Sequence, residues 1–103
     1  MDKSHRTVNL KLMTRELWIM FMDIIGPLAM SEPAPIDAIY GKLLAEKDRL
    51  NLDLSYGQFL KVLEEMERRG IIRTIKKDDK TYIALTDEAR YFLITYSPAW
   101  IGL

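Results

Sequence analysis

Apolar residues recur at helical spacing in four stretches of this chain, and two β-branched runs lie between the third and the fourth. In the first stretch Leu17, Met20, Phe21, Ile24 and Leu28 make a stripe, which predicts a helix from about Arg15 to Ile25. Thr14 is placed to cap it, and Glu16 lies in its first turn, where a carboxylate meets unpaired amides. Trp18, Ile19 and Met22 lie off the stripe and are apolar too. Such a helix is expected to be covered on two sides, by another subunit or by the C-terminal segment. Gly26-Pro27 is expected to end it. Ser31-Glu32-Pro33-Ala34-Pro35 then reads as a loop leading into a second helix with the stripe Ile36, Ile39, Tyr40, Leu43 and Leu44. This helix fades through a solvated face and is expected to reach about Leu50.

The third stretch carries Phe59, Val62, Leu63 and Met66 at i, i+3, i+4 and i+7, with Ser55 as its N-cap. Gly70 follows Arg68-Arg69, where a left-handed cap residue and dipole-compensating charges belong. Ile71 to Ile75 and Thr81 to Leu85 read as strands joined by a polar turn, Lys76-Lys77-Asp78-Asp79-Lys80. The last helix opens on Thr86 with Asp87-Glu88 in its first turn, carries Ala89, Phe92, Leu93 and Tyr96, and is expected to stop at Pro98. Ahead of all this, Thr7 to Leu12 alternates apolar and polar, a pattern open to a short strand or to an extension of the first helix. The expected organisation is an N-terminal arm (1–13), a folded domain (14–97) and an apolar tail (98–103).

A chain of 103 residues, 49% apolar and 29% charged, has the composition of one globular domain. With no cysteine, disulfides and thiolate metal sites are excluded, and a single histidine, His5, is poor metal-site material. No apolar run approaches the roughly 20 residues of a membrane span, and no signal-peptide pattern precedes Leu17 to Met30, so a cytoplasmic location is expected. The zero net charge conceals a strong asymmetry: residues 1–15 carry +3, residues 16–67 carry −6, and residues 68–80 carry +4. Association with a polyanion depends on the local field, and the hairpin with the N-terminal arm would form a positive face.

The run Leu63-Glu64-Glu65-Met66-Glu67-Arg68-Arg69-Gly70-Ile71-Ile72, the hairpin, and Leu85-Thr86-Asp87-Glu88-Ala89 resemble the second half of a winged helix-turn-helix domain of the MarR and PadR type. The Lys80-Thr81-Tyr82-Ile83-Ala84-Leu85-Thr86 segment is nearer to PadR-like wings, while Ala89 stands where those families usually have glycine. The resemblance covers about a third of the chain in detail and the remainder by order of elements. It implies an α+β, mostly helical fold: a three-helix core, a β-hairpin wing and a C-terminal helix, working as a dimer without a cofactor.

The same resemblance implies double-stranded DNA as partner, with the helix at 55–69 in the major groove. Ser55, Tyr56, Gly57, Gln58 and Lys61 would face outward near its leading end, with Gln58 suited to an adenine edge and Lys61 to phosphate or guanine. Glu64 on that side repels phosphate. Arg73, Lys76, Lys77 and Lys80 would meet the backbone or the minor groove, giving a steep salt dependence. Ser31 and the amides near Ile36 offer a further phosphate contact. A homodimer is expected through Leu10, Trp18, Met22, Tyr96 and Trp100, aromatic enrichment being a feature of interfaces. The carboxylates lie on polar helix faces and no phosphate loop, zinc spacing or nucleophile elbow occurs, so no enzymatic activity is expected. Transcriptional regulation is the commonest use of such a domain. A DNA-coating protein of plasmid partition or viral accessory type, and a winged-helix module for a protein partner alone, are the alternatives.

Overall fold

The computed structural model describes residues 14–96. Leu10, Trp100, the segment 7–12, the apolar tail and the side chain of Tyr96 lie outside that description. Over the described residues the fold is α+β, with four helices and a three-stranded antiparallel sheet.

Helix α1 covers residues 15–29 in three continuous pieces, an α-turn Arg15–Ile19, a π-helical segment Met20–Ile25 and a closing α-turn Gly26–Ala29. Thr14 caps it as expected, its hydroxyl accepting from the Leu17 amide at 3.2 Å. Gly26-Pro27 does not end it. The Gly26 amide bonds five residues back, to the Phe21 carbonyl. That widened turn sits just ahead of Pro27, where an α-helix would drive the pyrrolidine ring against a carbonyl. The extra residue also shifts the stripe by one position. Leu28 is left 36% exposed, while Ile25 and Ala29 are fully buried beside Met20, Phe21 and Ile24.

Residues 31–35, expected as loop, contain a short strand β1, Ala34–Pro35. Proline cannot donate to a ladder and is confined to sheet edges, which is where β1 lies. Helix α2, Ile36–Leu50, has the predicted length and ends on Asn51 in the left-handed conformation, with Leu52 donating to the Lys47 carbonyl. Its buried stripe is narrower than the spacing implied, Ile39 and Leu43 being inside and Leu44 outside. Helix α3, Tyr56–Arg68, buries Phe59, Leu63 and Met66. Gly70 closes it at φ 78°, with Gly70 donating to Glu67 at 3.0 Å and Ile71 to Met66 at 2.9 Å, the Schellman pattern.

Strands β2, Ile72–Lys77, and β3, Lys80–Leu85, pair over their full length. The expected five-residue turn is a two-residue one: Asp78 and Asp79 both have positive φ, 53° and 63°. Two left-handed central residues give a type I′ turn, whose twist matches the strands and lets pairing reach Lys77 and Lys80. β3 is central, flanked by β1 and β2. Helix α4, Asp87–Tyr96, buries Ala89 and Leu93. Thr86 joins three elements at one point. Its hydroxyl accepts from the Ala89 amide at 3.2 Å and donates to the Gly70 carbonyl at 2.7 Å.

Candidate nucleic-acid interface

The leading end of α3 is built by reciprocal capping. Ser55 Oγ accepts from the Gln58 amide at 3.1 Å, and Gln58 Oε1 accepts from the Ser55 amide at 2.9 Å, a capping box. The Ser-x-x-Gln spacing carries a signal for this box that reading Ser55 as a simple N-cap passes over. The box also alters the role expected of Gln58: with Oε1 held by the backbone, the side chain presents its amide N–H donors, so bidentate pairing with adenine would require the box to open. Tyr56 is 44% exposed but its ring is oriented, standing edge-on to Tyr40 at 5.0 Å between centroids. Tyr40 is fixed in turn by donating its hydroxyl to the Leu54 carbonyl at 3.3 Å. Gly57 is exposed, and a Cβ there would meet only Ser55 Oγ at 4.0 Å. Packing within the chain therefore does not require glycine at this position, and its lack of a side chain leaves the helix surface open to close approach.

Between α3 and the hairpin runs a groove of about 370 Å³, lined among others by Ile36, Tyr56, Leu60, Lys61, Glu64, Glu67, Thr74 and Lys76. Thr74 donates its hydroxyl to Glu67 Oε1 at 3.0 Å, tying the hairpin to the helix. Leu60, 40% exposed, is an apolar residue off the helical stripe and was not singled out by sequence. Two carboxylates beside two lysines make this groove close to neutral.

The cations expected to bind do not gather on one surface. Side chains alternate across a strand, and the register places Lys76, opposite Thr81, on the groove side. Arg73, opposite Ala84, and the facing pair Lys77 and Lys80 lie on the other side. All four are exposed. Most arginines of the described residues are employed internally. Arg15 donates to the Leu50 and Asn51 carbonyls, Arg49 pairs with Glu46, Arg68 and Arg69 pair with Glu65, and Arg90 bonds Asp87 and the Met30 carbonyl. The side chain of Arg73 makes no hydrogen bond or ion pair among the described residues, and neither do those of Lys61, Lys76, Lys77 and Lys80. At the start of α2 the exposed Asp37 occupies the first turn, which opposes the phosphate contact expected near Ser31 and Ile36.

Of the residues expected in a dimer interface, Trp18 is 40% exposed and Met22 half-buried. Trp18 stands edge-on to Phe21 at 6.2 Å and to Phe92 at 6.0 Å, so α4 of the same chain supplies part of the second cover of α1. No helix among the described residues is long and apolar enough to cross a membrane, and no cluster of three or more metal-ligating side chains occurs among them. Comparison of the chain with family models, with curated proteins and with solved structures gives no match.

Proposed function

We propose that this chain is a winged helix-turn-helix protein, similar to the MarR and PadR types, that binds double-stranded DNA as a homodimer and acts in transcriptional regulation. The observation that carries the reading is the pair of exposed lysines whose side chains have no partner among the described residues, Lys61 on α3 and Lys76 on the hairpin, flanking the groove in a protein whose described arginines other than Arg73 are all engaged. Such groups release counterions on meeting phosphates, which supplies most of the affinity of a DNA-binding domain. The order of elements supports it as well: helix, edge strand, two helices, hairpin, helix.

In this reading α3 is the recognition helix and enters the major groove by its capped end. Gly57 lets the helix approach, Tyr56 and the Gln58 amide donate to base edges or phosphates, and Lys61 and Lys76 hold the backbone on either side of the groove. The β2–β3 hairpin is the wing. The dimer forms through the apolar surface of α1 and α4, where Trp18, Tyr91 and Ile94 are exposed.

A gel-shift titration on a single duplex at several salt concentrations tests this. The wild type is expected to bind with a steep salt slope, and Lys61→Ala with Lys76→Ala to flatten the slope by about 1.8. The exposed Leu60 and Tyr56, with Ile36 and the carboxylates of Glu64 and Glu67, favour a second reading in which the groove takes a protein partner. Absence of any shift at low salt overturns DNA binding and leaves that reading.

A further inference from the structure

The hairpin has two chemically different faces. Ile72, Thr74 and Lys76 of β2, opposite Leu85, Ile83 and Thr81 of β3, face α3 and the core. Arg73, Ile75 and Lys77, opposite Ala84, Tyr82 and Lys80, face away from α3. On this outer face Tyr82 is half-buried, flanked by Ile75 on one side and by Pro35 of β1 on the other. Arg73 lies on its base side and Lys77 and Lys80 lie toward the tip. The distance along β2 from Arg73 to Lys77 is about 13 Å, the axial rise of roughly four nucleotides of one DNA strand. Asp37 and Asp79 lie beside Lys80, and Asp78 in the turn. The least opposed charge is therefore that of Arg73.

A duplex seated on α3 lies across the sheet from Arg73. Cations placed to grip that duplex would share the side of Lys76, and these do not. A strip of cations around a half-exposed tyrosine matches a phosphate backbone, with the cations neutralising charge and the phenol donating to phosphate oxygen. We propose that the outer face of the hairpin is a second DNA-binding surface, occupied by a separate duplex, so that the protein bridges two DNA segments. The inference rests on the reading of α3 as the first contact and adds a second ligand of the same chemistry.

The test separates the two contacts. One biotinylated duplex is fixed on beads, the full chain is added, and capture of a second, fluorescent duplex is measured beside gel-shift affinity for a single duplex. The comparison variant is Arg73→Ala with Lys77→Ala and Lys80→Ala, three exposed positions, with its fold checked by circular dichroism. Capture is expected to fall at least about tenfold and its salt slope to flatten by about 2.7, while single-duplex affinity changes by less than about threefold. Equal loss of both in the variant would mean one clamp on one duplex and overturn the bridge. Single-duplex binding by the wild type with no capture overturns the bridge alone. No binding of either kind overturns the DNA reading together with it.

Discussion

Helices α3 and α1 are stabilised in opposite ways. α3 is closed at both ends by residues adjacent in sequence, the Ser55–Gln58 box at one end and the Gly70 Schellman turn at the other. α1 has Thr14 at its start, but its later course depends on distant groups. Arg90 of α4 donates to the Met30 carbonyl at 3.0 Å just beyond its end, and Phe92 packs beside Trp18 and Phe21. Its π-helical segment has no local chemical cue beyond Pro27. Local hydrogen bonding fixes the limits of α3, whereas packing against the rest of the chain fixes the register of α1.

The largest effect is expected from truncating α1 at the two positions that compete for its stripe. Ile25→Ala is expected to cost about 2–5 kcal/mol in urea unfolding and Leu28→Ala less than about 1 kcal/mol, because only Ile25 leaves a cavity. A larger loss at Leu28 would restore the regular α-helical register and remove the widened turn. A smaller effect is expected at the end of α3. Gly70→Ala places a Cβ in open space, so its cost of about 1–2 kcal/mol is conformational alone, set by φ 78°. Thermal melts of this variant should shift without loss of cooperativity. The smallest is Ser55→Ala, about 1 kcal/mol, which removes one partner of the capping box. If it changes DNA affinity by more than stability explains, Ser55 touches the ligand as well as the helix.

What the sequence made legible follows the same division. Ser55, Gly70 and Thr86 act on amides and carbonyls close in sequence, and their identities announce helix ends. The bond from Thr86 to the Gly70 carbonyl spans sixteen residues and carries no sequence signal. The loop reading of residues 31–35 missed β1, because two prolines suppress strand propensity and only the pairing of Ala34 with Ile83 reveals it. The candidate DNA-contacting residues were legible as a group of cations but not as two faces. Assigning Lys76 through Lys80 to a turn concealed their alternation, since aspartates in place of the usual Asn-Gly hide a two-residue turn. Leu60 was missed because it lies off the buried stripe.

The order β1-β3-β2 has a consequence for self-association. A sheet's outer strands are templates on which further copies add, and both outer strands here are blocked. β1 is two residues long and ends in Pro35, which offers no amide to a newcomer. β2 carries Arg73, Lys76 and Lys77 within six residues, so a second β2 laid against it would set like charges side by side. Growth by strand addition is therefore disfavoured at either edge of the sheet formed by the described residues.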